Sequence, residues 1–151
     1  MTDTDRAALA ALAPHLVCDD AAAAIDFYVR AFGAEEMMRL ATPDGRLAHA
    51  ALRINGRMVM LVDAFPEHGM RSPKDLGGTP VTIHLMVPDV DAAVARAVEA
   101  GAELAVPVAD MFWGDRYGVV VDPAGHAWSM ATPVRELSPA EIAEAMKAAA
   151  C

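Results

Sequence analysis

One structural unit is written twice in this chain, and that repeat limits the folds open to it more than any other feature. In "PHLVCDDAAAAIDFYVRAFGA" a short apolar run leads to Asp20, a residue type that caps helix N-termini. Ile25, Tyr28 and Phe32 then recur at helical spacing, and Gly33 supplies the left-handed stop. "VTIHLMVPDVDAAVARAVEAGAEL" has the same order: a strand over 81–87, Asp89 or Asp91 as cap, Val94 and Val98 as the stripe, and Gly101 as the stop. A hairpin follows each helix. "GRLAHAALRINGRMVMLVDA" turns at Asn55-Gly56, a pair that favours the positive φ of a two-residue turn. "FWGDRYGVVVDPAGHAWSMATP" is its counterpart, turning around Asp122-Pro-Ala-Gly125. Each unit therefore reads βαβββ. Module one covers about 13–64, a linker about 65–79, and module two about 80–133. A last helix over about 138–150 is signalled by Ser138, Pro139 and Glu141 as N-cap, first-turn proline and capping-box acid.

The 151 residues make a single α+β domain, and 55% hydrophobic content is enough for a core. The run "AALAALAPHLV" is too short to span a membrane, is broken by Pro14 and follows acidic residues, unlike a signal peptide. A cytoplasmic protein with no membrane partner is expected. A net charge of −9 leaves no basic stripe for nucleic acid. The two cysteines, Cys18 and Cys151, form no CxxC pair and no disulfide framework. No GxSxG, Walker A or strand-linked GxGxxG is present.

The tandem modules, the helix pattern Asp20…Phe27-Tyr28…Gly33 and the closing "DPAGHAW" resemble the vicinal-oxygen-chelate superfamily. That superfamily includes glyoxalase I, bleomycin-resistance proteins, fosfomycin-resistance enzymes and extradiol dioxygenases. "FWGDRYG…DPAGHAWSMAT" looks like its PhnB-like branch in particular, and the likeness spans residues 13–133. It implies sheets curled into half-barrels, a cavity between two modules, and a homodimer. The family's metal positions fall on Ala13, Met60, Thr82 and Ser129, where metal-binding members carry His or Gln, and Glu. Hydroxyls and a thioether are poor donors to a divalent ion, and alanine is none. The resemblance thus implies a cavity with no metal and no cofactor that holds a small organic molecule, as bleomycin-binding members do.

Side chains alternate along strands, so one anchor assigns the faces. His15 and His84 lie two residues after Ala13 and Thr82, hence on the cavity face at equivalent points of the repeat. A two-residue turn at Asn55-Gly56 puts His49 on the face of Ala51, Met58 and Met60. In module two the same reasoning places Arg116 beside Gly118 and Ser129, with Val119, Val121 and Trp128 on the helix side. Trp113 and Tyr117 stand at the cavity mouth, where aromatics stack on planar ligands and a guanidinium forks a carboxylate or phosphate. Against this, Trp113 and Tyr117 could pack on a dimer partner or the last helix, with Arg116 in a salt bridge to Asp115 or Asp110. The expected ligand-binding set is His15, His49, Met58, Met60, His84, Trp113, Arg116, Tyr117 and Ser129. The alternative is a metal-dependent lyase, isomerase or dioxygenase with His15, His49 and His84 as shifted ligands.

Overall fold

The computed structural model describes residues 2–4 and 11–150; Cys151 lies outside them. Module one runs β1 (His15–Cys18), α1 (Ala21–Phe32), β2 (Glu35–Ala41), β3 (Leu47–Ile54) and β4 (Arg57–Asp63). Module two runs β5 (Thr82–Met86), α3 (Val90–Ala100), β6 (Glu103–Asp110), β7 (Asp115–Val121) and β8 (Ala127–Pro133). The linker between them holds a 3₁₀ turn (Pro66–His68) and the four-residue helix α2 (Pro73–Leu76), which Ser72 caps. Helix α4 (Pro139–Ala149) ends the fold, with the Ser138–Glu141 capping box formed in both directions.

Each module makes one four-stranded mixed sheet, ordered β1-β4-β3-β2 and β5-β8-β7-β6. The first strand joins the last in parallel, because the helix between them carries the chain back across the sheet. Asp20 and Asp89 cap α1 and α3 by accepting from the amides of Ala23 and Ala92 at 3.0 and 3.1 Å. The repeat extends to how each helix start is held. Asp63, at the end of β4, accepts from the amides of Ala21 and Leu47 at 2.7 and 2.6 Å. Thr132 occupies the matching place in β8, accepting from Val90 N–H at 2.8 Å and donating to the Val87 carbonyl at 2.8 Å.

One core runs through both modules. Leu16, Cys18, Leu52, Ile54, Val59 and Leu61 of the first sheet and Leu85, Val120, Trp128 and Met130 of the second belong to it, and Trp128 packs on Tyr28 and Phe32 of α1 at 5.3 and 4.8 Å. Helices α1 and α3 pack on each other, and Arg96 Nε donates to the Arg30 carbonyl at 2.6 Å. Edge strands β1 and β5 flank a gap lined by His15, Leu16, Val81, Ile83 and His126. His126 Nε2 reaches the Val17 carbonyl at 2.8 Å across it, so this histidine of the last turn joins the modules. No described helix is long and apolar enough to cross a membrane.

Candidate functional site

The helix-facing sides of the sheets are buried, and the opposite face of each sheet carries most of the residues singled out from the sequence. In module one the Asn55-Gly56 turn is two residues long, with φ of 50° and 73°. The hairpin register follows, pairing Ala51 with Met60 and Arg53 with Met58. Met60 also lies level with His15 on β1. The His15 and His49 rings meet edge to face, centroids 6.0 Å apart. His15, His49 and Met60 thus form one group on the first open face, with Met58 further along β4.

Module two departs from the expected register. Its last hairpin has three loop residues, Pro123, Ala124 and Gly125, closed by Gly125 N–H to the Asp122 carbonyl at 2.9 Å and Asp122 N–H to the His126 carbonyl at 2.9 Å. Gly125 takes φ 93°, the extra left-handed residue of a bulged turn. The odd loop length pairs Ser129 with Val119 rather than with Gly118. Ser129 therefore shares the open face with Tyr117, Val119 and Val121, while Trp128 faces the core as expected.

Arg116 and Gly118 go to the helix side. Arg116 pairs there with Asp91 at the start of α3 (2.7 and 2.9 Å) and with Asp110 on β6 (3.2 Å). The two carboxylates raise its pKa further above the ordinary arginine range. Gly118 leaves no room for a ligand, because a Cβ there would come within 2.9 Å of the Val108 side chain on bulged β6.

The second open face carries a connected set. His84 Nδ1 lies 2.7 Å from the hydroxyl of Ser129, which is 3% exposed, and Nε2 lies 3.2 Å from the Met86 sulfur. The Tyr117 ring stacks on His84 at 6.2 Å, and Trp113 meets Tyr117 edge-on at 5.2 Å. Trp113 Nε1 donates to Asp115 at 3.2 Å. Trp113 also borders a shallow groove formed with the segment 133–137.

Between the modules, Met58 and His84 line one recess of about 530 Å³. The tip of the β3–β4 hairpin forms one wall and β5 the other; Asn55 Nδ2 donates to the Met86 carbonyl at 2.9 Å and ties the two together. Leu12, Ile54, Ile83, Met86 and Trp128 supply apolar lining, and Arg57 stands among them. Sequence reading missed Arg57. The turn signal puts it at the start of β4, but only the packing of the modules puts β5 opposite.

The family's four metal positions hold Ala13, Met60, Thr82 and Ser129, a donor set that does not fit a divalent ion. Nor do the histidines assemble as a shifted triad within the chain, since His84 stands on the other sheet from His15 and His49. Among the described residues no three His, Cys, Asp or Glu side chains gather where they could hold a metal.

Paired βαβββ modules, each with one open four-stranded mixed sheet, define the class of protein to which the chain's fold belongs. The chain belongs to the glyoxalase/bleomycin resistance protein/dioxygenase superfamily, whose family model matches residues 8–130. It is 60% identical over 139 residues to the uncharacterized protein Mb0911c of Mycobacterium bovis, covering 90% of this chain and 91% of that one. Among solved structures it resembles the Arabidopsis thaliana At5g48480 product, with TM-score 0.67 and 30% identity over 80% of this chain and 97% of that one. It also resembles TnmS3, an antibiotic binding protein from Streptomyces sp. CB03234, with TM-score 0.61 and 26% identity over 80% and 93% of the two chains.

Proposed function

We propose that this protein binds and sequesters a small organic molecule with a planar apolar part, without a divalent metal. The observation that carries the reading is the recess of about 530 Å³ where Met58 of one module meets His84 of the other. Its size suits a small ligand, and its lining is mostly apolar with a few polar groups, the usual make-up of such sites. The adjoining Tyr117–Trp113 pair offers aromatic surface, and the likeness to TnmS3 favours the same reading. His15, His49 and Met60 belong to the other open face and would meet the ligand only if the cavity extends there.

The reading takes the protein as a PhnB-like member working in the cytoplasm as a homodimer. Support for the dimer comes from Met38, Leu40, Met58, Met86 and Val106, large apolar side chains exposed in the single chain. A second copy laid across these faces would cover them.

Fluorescence titration with planar aromatic probes tests the binding. The expected result is saturable quenching of tryptophan emission at one site per chain, weakened in Met58→Ala. A panel of such probes that all fail to bind would sink the proposal. Sedimentation equilibrium tests the dimer separately; a monomer throughout the micromolar range would remove it.

A further inference from the structure

We infer that the molecule held in the recess carries an acidic group, and that Arg57 is the residue that reads it. This rests on the small-molecule reading above and narrows it to amphipathic organic acids.

Six of the chain's cations are neutralised by side-chain carboxylates. Arg39, Arg46, Arg53, Arg116, Lys74 and Lys147 each pair with a carboxylate. Arg57 lines the recess and forms no hydrogen bond or ion pair with any described residue. Arg30, Arg71, Arg96 and Arg135 also form no ion pair with a described residue, but none of them lines this recess, and Arg57 does. Among the described residues no Asp or Glu lines this recess, so none of them cancels the guanidinium charge there.

The other polar groups are already occupied. The Asn55 amide is held by the Met86 carbonyl, and His84 Nδ1 by Ser129. Arg57 is left as the group able to take up a ligand's charge. Its guanidinium offers parallel N–H donors that match a carboxylate as a fork. The apolar side chains of Ile54 and Ile83 beside it lower the local dielectric and strengthen that attraction relative to open water. Arg57 is also placed by a rigid device: it is the first residue of β4, paired with Ile54 directly after the two-residue turn. Its backbone is therefore set before any ligand arrives. Arg116, which sequence parity suggested for this role, is neutralised by Asp91 and Asp110.

A matched pair of probes tests this on the full chain: 2-naphthoate and its neutral isostere 2-naphthamide, with affinities measured by calorimetry. The expected result is that naphthoate binds roughly tenfold or more tightly than naphthamide, the preference narrowing at high salt. Arg57→Gln should bring naphthoate down to the naphthamide level, and Arg57→Lys should restore part of the gap, keeping the charge but losing the fork. Circular dichroism would confirm that both variants fold. Equal binding of the two probes, or a gap that survives Arg57→Gln, overturns the role of Arg57 while leaving the binding recess standing. Binding of neither probe defeats the recess itself, and the inference falls with it.

Discussion

The hydroxyl of Tyr28, in α1 of the first module, donates to the carboxylate of Asp122, in the last hairpin of the second. The same carboxylate accepts from Trp128 Nε1 at 2.8 Å and from the amides of Ala124 and His126 at 2.9 and 3.0 Å. One buried side chain therefore sets the hairpin turn and fastens that turn to the other module's helix. Asp122→Ala would strand the buried Tyr28 and Trp128 donors. Urea unfolding should show a loss of about 3–5 kcal/mol, against about 1–2 kcal/mol for Tyr28→Phe, which leaves the other three bonds in place. Similar losses for the two variants would mean that Asp122 is not the hub.

Stability should fall at alkaline pH. Burial foremost, and then the negative charge of Asp122, push both the Tyr28 phenol and the Cys18 thiol well above their ordinary values. The unfolded chain releases these protons from about pH 8.5 for Cys and about pH 10 for Tyr, while the folded protein retains them. There the folded state binds more protons, so unfolding becomes easier as pH rises. Thermal melts from pH 8 to 11 should fall steadily, and less steeply in Tyr28→Phe. An identical slope in that variant would rule out the Tyr28 contribution.

Gly114→Ala should destabilise strongly. Gly114 has φ 106°, and a Cβ there would come 2.5 Å from the Arg135 carbonyl oxygen. The Gly114 carbonyl also accepts from the amides of Val134 and Arg135, each at 2.9 Å, so the two segments cannot simply part. A loss of about 2–4 kcal/mol is expected by urea unfolding; less than about 1 kcal/mol would show that the backbone yields easily.

Arg116→Gln separates the two arginines. Arg116 is engaged with Asp91 and Asp110 on the helix side, so its loss should lower the melting temperature slightly and leave probe affinity within about twofold. A large drop in affinity would return Arg116 to the binding site.

The fold was legible because its signals are local. Asp20, Gly33, Asn55-Gly56 and the Ser138 capping box each act within a few residues, and each forms as its residue types require. The open face of module one was equally legible, since a two-residue turn leaves its hairpin register no freedom. Module two was only half legible. "DPAG" does not reveal that Gly125 itself is an extra loop residue, and one uncounted residue exchanges the two sides of β7. Hence Ser129 fell on the open face and Trp128 in the core as expected, while Arg116 and Gly118 went to the helix side and Val119 and Val121 to the open face, the reverse of the expectation. Arg57 was hidden for another reason: its neighbours across the recess come from the other module, which nothing local encodes.

The three-residue loop before His126 also constrains what can change in this lineage without loss of the site. An insertion or deletion of a single residue there would turn β8 over, sending Ser129 into the helix layer and Trp128 out towards solvent. Length variants of that loop among relatives should therefore come in steps of two, and a one-residue change should be found only where a compensating bulge restores the phase.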